Sequence, residues 1–131
     1  MFKSRIFLAI LLSLTTTAAT AADRDVKVKF KPGTTSAFLK NKVKGYDVVR
    51  YDLEARAGQT MFVDFYGTEN TCDFVVHGPD GKTIFDEVYE WRKFEYKLEA
   101  TGSYRIIAGM MRVSARRGKT CAFSMNIKIT D

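Results

Sequence analysis

The 131-residue sequence predicts an all-β chain, an antiparallel β-sandwich of about eight short strands. Three observations carry that expectation. Apolar residues recur at every second position through nearly all of the chain beyond residue 22, as a half-buried strand requires. Glycine and proline turn signals punctuate the alternating runs. No segment of any length keeps the 3.6-residue period of an amphipathic helix.

The first strand is expected where Val26, Val28 and Phe30 alternate with Lys27, Lys29 and Lys31, giving a basic outer face. Residues 31–44 form a polar connection, with Phe38 and Leu39 packing part of it down. Val49, Tyr51, Leu53 and Ala55 then face opposite to Arg50, Asp52, Glu54 and Arg56, and Gly58 turns the chain. Met61, Val63 and Phe65 make one face of the next strand, and Phe62 and Tyr66 render the other partly apolar, which marks a central strand. Phe74 to His77 and Thr83 to Phe85 form a hairpin around Gly78-Pro79-Asp80-Gly81, where proline presets φ and glycine allows φ > 0. Residues 86–93 are acidic and aromatic without a period and are assigned to a loop. Phe94, Tyr96 and Leu98 alternate again; Thr101-Gly102 turns into the strand of Tyr104, Ile106, Ala108 and Met110, and Phe123, Met125, Ile127 and Ile129 form the last strand.

Residues 1–22 have a different character. Lys3 and Arg5 precede an apolar run from Ile6 to Leu12, and small residues end at Ala21-Ala22, the pattern of a cleaved secretory signal peptide. Residues 23–131 then make up a single domain. Without the first 22 residues, 109 remain; Lys3 and Arg5 are gone, so the formal net charge falls from +6 to +4. A chain of this size buries one core, which argues against a large multi-layer enzyme. No later apolar run approaches the ~20 residues that span a bilayer, so membrane insertion is not expected. Export also bears on Cys72 and Cys121, since an oxidising compartment favours their pairing, worth ~4 kcal/mol on the chain-entropy model. The alternatives are two buried thiols or a bond between chains.

Catalytic constellations are scarce. The single histidine, His77, precedes a turn and is read as structural. No cluster has the ligand spacing of a zinc site, no glycine-rich phosphate loop follows a strand, and no nucleophile elbow occurs. Nine acids lie between Asp64 and Glu99, mostly on polar faces of alternating strands, where solvation is the default fate of a carboxylate. The sequence therefore indicates no enzyme, no cofactor and no metal.

Charge is unevenly placed. Residues 100–130 contain no acid but include Arg105, Arg112, Arg116, Arg117, Lys119 and Lys128. Residues 112–119 read R-V-S-A-R-R-G-K between two strands, a basic loop displayed by a rigid sheet. Guanidinium groups pair bidentately with carboxylates or phosphates, so an acidic cleft, an anionic surface or a solvated turn are all open. Nucleic acid is disfavoured, because the chain is exported and aromatics do not interleave with the loop.

Several motifs follow one another along the chain: Lys44-Gly45-Tyr46-Asp47, Tyr51-Asp52-Leu53, Ala57-Gly58-Gln59, Gly78-Pro79, Leu98 to Tyr104, Arg112-Val113-Ser114-Ala115-Arg116, and Asn126 to Ile129. Taken in this order, they resemble bacterial periplasmic inhibitors of g-type lysozyme (PliG). The K-G-Y-D, A-G-Q and small-Gly-x-Tyr elements are shared with the wider pre-peptidase C-terminal β-sandwich family, whereas the R-x-x-A-R spacing is more discriminating. Inhibitors of i-type lysozyme use a similar Ser-Gly-x-Tyr turn, in which Thr101 here replaces the serine. The resemblance implies a periplasmic inhibitor whose Tyr46, Arg112 and Arg116 enter the active-site cleft of a g-type lysozyme, with Thr101, Gly102, Ser103, Tyr104 and Arg117 as supporting positions. Inhibition of i-type or c-type lysozyme, or a pre-peptidase-like module binding glycan or another anionic envelope component, are the alternatives. The cysteine pair and Met110-Met111 depart from the family pattern.

Overall fold

The computed structural model describes residues 23–84 and 92–131. The expected signal peptide over residues 1–22 and most of the loop over residues 86–93 lie outside the described residues. The described chain forms nine strands and one helical turn: β1 (Arg24–Lys27), β2 (Ser36–Lys44), β3 (Val49–Ala55), β4 (Thr60–Gly67), β5 (Cys72–His77), β6 (Thr83–Ile84), β7 (Lys93–Lys97), β8 (Gly102–Met110), α1 (Arg112–Ala115) and β9 (Thr120–Thr130). Two sheets of order β1-β3-β8-β5-β6 and β2-β9-β4-β7 face each other as a sandwich.

Alternation decides which side chains meet between the sheets. Val49, Tyr51, Leu53, Tyr104, Ile106 and Ala108 come from one sheet and Met61, Val63, Phe65, Phe123, Met125 and Ile127 from the other, all buried. The Phe65 and Phe123 rings stack at 5.2 Å, and Tyr51 meets Phe123 edge-on at 6.5 Å. The expected central position of β4 is observed, between β9 and β7. The Gly78 to Gly81 turn closes as its composition predicts: Gly81 N–H donates to the Gly78 carbonyl at 2.9 Å, with Gly81 at φ +79°.

The expected β-sandwich of about eight short strands is observed, with nine strands among the described residues. The polar connection expected over residues 31–44 is corrected: residues 36–44 form β2, paired with β9 along its whole length from Ser36↔Lys128 to Lys44↔Thr120. Its inward row is Ala37, Leu39, Asn41 and Val43, and the polar Asn41 breaks the apolar period. The fold accommodates that amide at the sandwich edge, where Arg24 Nη1 donates to Asn41 Oδ1 at 2.6 Å and Asn41 Nδ2 reaches the Tyr51 hydroxyl at 3.4 Å. Pairing is also not wholly antiparallel, since β1 runs parallel to β3 from Arg24↔Val49 to Lys27↔Asp52. The first strand is shorter than expected; Val28 still turns inward beyond its end.

Cys72 and Cys121 are disulfide-bonded, with Cα atoms 6.3 Å apart. The bond joins β5 of one sheet to β9 of the other. Gly67 lies against it so closely that an added Cβ would stand 3.1 Å from Cys121 Sγ. The bridge thus sits at the end of the sandwich from which the basic loop emerges.

Candidate functional site

The loop between β8 and β9 is built around α1. Met111 caps the turn in extended conformation, and its carbonyl accepts from Ser114 and Ala115 N–H at 3.1 and 3.0 Å. Ser114 and Ala115 are buried, so they form the inner face of the turn. Arg112 and Arg116 are four residues apart and project from one side of it, their Cβ atoms about 5–6 Å apart by helical geometry. Gly118 ends the turn at φ +66°, a left-handed conformation that costs a glycine little, and donates to the Ala115 carbonyl at 3.0 Å.

Neighbours hold this turn in place. Thr71, beside the disulfide, accepts from Met111 N–H at 2.8 Å through its carbonyl and donates from its hydroxyl to Ser114 Oγ at 2.5 Å. Lys119 pairs with Glu69 at 3.6 Å. Arg112, Arg116 and Arg117 are exposed and have no ion-pair partner among the described residues.

Tyr46 reaches the same end from the turn between β2 and β3. Gly45 N–H donates to the Lys119 carbonyl at 2.9 Å, and a Cβ on Gly45 would stand 3.6 Å from the Ala115 carbonyl oxygen. The K-G-Y-D turn is therefore seated directly against the arginine loop. Tyr46 is 57% exposed beside it.

Thr101, Gly102, Ser103 and Tyr104 lie at the opposite end, where β8 begins. Over the nine residues of β8 the two ends are separated by on the order of 26 Å. Three of them, Thr101, Gly102 and Tyr104, have structural roles there. Thr101 Oγ1 accepts from Ala57 N–H at 2.9 Å, and Gly102 leaves room for Pro79, whose Cβ would be 2.9 Å from an added Cβ. Tyr104 is buried and its hydroxyl donates to the Ala100 carbonyl; burial raises its pKa, partly offset by that hydrogen bond. His77 stands in β5 opposite Arg105 and Thr83.

The remaining cations of the acid-free third are engaged elsewhere. Arg105 forms a two-pronged pair with Asp52, at 2.7 and 3.2 Å, and Lys128 lies 5.8 Å over the Phe62 ring. Two residues that alternation does not mark complete the arginine end: Met111 and Val113 are 53% and 47% exposed. Together with Tyr46 they account for three of the six large apolar side chains exposed among the described residues. Tyrosine, methionine and arginine with little acid is the composition of a protein-binding interface core.

No protein-family model matches the chain. An inhibitor of g-type lysozyme from Escherichia coli strain K12 is 29% identical over 128 residues, 92% of each chain. The crystal structure of a periplasmic inhibitor of g-type lysozyme from Aeromonas hydrophila is similar at 34% identity and a TM-score of 0.74, covering 83% of this chain and all of that one. The corresponding Salmonella Typhimurium inhibitor is similar at 28% identity and a TM-score of 0.70, covering 82% of this chain and 98% of that one. The same β-sandwich is shared at both ends of this range, and the chain belongs to the family of periplasmic inhibitors of g-type lysozyme.

Proposed function

We propose that this protein is exported to the periplasm with loss of residues 1–22 and there inhibits g-type lysozyme, protecting peptidoglycan. The observation that carries the reading is the convergence, on one anchored end, of unpaired Arg112 and Arg116 with exposed Tyr46, in a chain whose relatives are g-type lysozyme inhibitors. A lysozyme hydrolyses the glycan with acidic groups in a groove, which glycosidases space roughly 5–10 Å apart. Two guanidinium groups one helical turn apart present positive charge on that scale. Pairing with the groove's carboxylates holds them ionised, so a residue required as a general acid is held deprotonated, while the turn's bulk excludes the glycan. The inhibitor contributes fit and charge and needs no catalytic group of its own.

A panel of g-, i- and c-type lysozymes acting on bacterial cell walls tests target and selectivity together. Stoichiometric protein should abolish g-type activity and leave the other two largely intact. A fully active g-type enzyme at stoichiometric inhibitor removes the proposal, and equal inhibition of all three removes its selectivity.

A further inference from the structure

The outer face of the β2-β9-β4-β7 sheet, which adjoins the arginine end at Lys44, carries a second concentration of charge and aromatic surface. Among the described residues, side chains that alternate outward place Lys40, Lys42 and Lys44 on β2, Lys128 on β9, and Lys93 and Lys97 on β7, against Asp64 and Glu95. No ion pair engages Lys40, Lys42 or Lys44 among the described residues. On the same face Phe38 and Tyr66 are each 61% exposed. Lysines lie over aromatics here: Lys40 Nζ is 5.6 Å from the Phe38 centroid and Lys128 Nζ 5.8 Å from that of Phe62.

Register puts hydroxyl and amide groups between the aromatics. Lys40, Ser124 and Tyr66 form one row across three strands, and Phe38, Asn126 and Asp64 the next. A depression of about 370 Å³ opens beside Tyr66, lined by Lys40, Thr68 and Ser124 among others. By contrast, the outer face of the other sheet neutralises itself, with Arg50 paired to Asp23 and Asp25 and Arg105 to Asp52.

We infer that this face binds an anionic glycan, the carboxylate-bearing glycan strand of peptidoglycan. Sugar C–H faces are apolar and stack on exposed aromatic rings, whose faces are negative. Ser124, Asn126 and Thr68 can exchange hydrogen bonds with sugar hydroxyls, and the lysines meet the free carboxylates of the stem peptides. A second copy of the chain would set like charge against like. A lipid surface is matched less well, because the aromatics stand on a regular sheet among polar groups rather than on an apolar face that can enter a bilayer. The choice of polymer rests on the function proposed above, which places the protein beside the wall that the lysozyme attacks; the chemistry of the face does not depend on it.

Co-sedimentation of the exported protein with purified sacculi, without lysozyme, tests this. The wild-type protein should pellet at low salt and be released as salt rises. Lys40→Glu with Lys42→Glu, and separately Tyr66→Ala, should each reduce the pelleted fraction at least ~fivefold at unchanged Tm. Both variants should inhibit g-type lysozyme normally on a short soluble oligosaccharide. Arg112→Ala with Arg116→Ala should pellet like wild type while losing inhibition, so the two functions fail separately. The inference is overturned if the wild-type protein stays in the supernatant, if the face variants pellet equally well, or if anionic lipid vesicles retain the protein and sacculi do not.

Discussion

Arg112 and Arg116, like their neighbour Arg117, differ from the other cations of the acid-free third in what surrounds them. Arg105 is held by Asp52, Lys119 by Glu69 and Lys128 by an aromatic ring, whereas the two turn arginines face solvent without a counter-charge. Exposed Met111 adds apolar surface beside them. Met111→Ser should therefore raise the inhibition constant roughly three- to tenfold, since about half a methionine side chain is no longer buried on binding, and should leave Tm nearly unchanged. Titration of enzyme activity and a thermal melt check both halves. The Arg105 pair makes a separate prediction about pH. The hydrogen bond from Arg105 holds the Asp52 carboxyl below its ordinary value, helped by the charges of Arg105, Lys27 and Arg50 and opposed by partial burial. A carboxylate whose pKa is lowered on folding stabilises the fold above about pH 4 and loses that contribution as pH falls through the lower folded value. Melts from neutral to acid pH should show Asp52→Asn less stable than wild type at neutrality and the gap closing in acid. A constant gap would contradict the account.

At the scale of elements, the loop is held at its base: α1 is fastened to Thr71 and the disulfide ties β5 to β9. Cys72 and Cys121 enclose a separation of 49 residues, for which the chain-entropy model gives ~4 kcal/mol. Replacing both cysteines with alanine should lower Tm by roughly 15 °C or more and weaken inhibition, and calorimetry beside an activity titration measures each. An unchanged Tm would show that the bridge adds nothing to the fold. Most strands were legible from the sequence because their inward rows are uninterrupted, as in Val49, Tyr51, Leu53 and Ala55. Strand β2 was not, because Asn41 stands in its inward row, where Arg24 and Tyr51 from the facing sheet and the adjacent Lys42 N–H satisfy its amide. Helix α1 was hidden for another reason: four residues are too few to display a 3.6-residue period. The basic loop was visible as charge, but the contact between Gly45 and Lys119 joins residues far apart in sequence through the β2–β9 ladder, which local pattern does not reveal.

For the whole molecule, the sandwich keeps different surfaces apart. One end bears the arginine turn, with Tyr46 against it; the other is closed by the Thr101 to Tyr104 segment against Pro79; and one broad face is cationic while its counterpart is internally paired. A basic inhibitor gains no long-range attraction toward an enzyme that is itself basic, so affinity has to arise at short range, from desolvated arginine–carboxylate contacts and a buried tyrosine. On the proposed function, the Arg112 and Arg116 pair delivers inhibition. The most direct test is the inhibition constant against g-type lysozyme for wild-type protein and for Arg112→Ala with Arg116→Ala, measured side by side with Tm. Potent inhibition is expected from the wild-type protein, at least ~tenfold weaker inhibition from the variant, and the same Tm for both. Equal inhibition constants at equal Tm would contradict it.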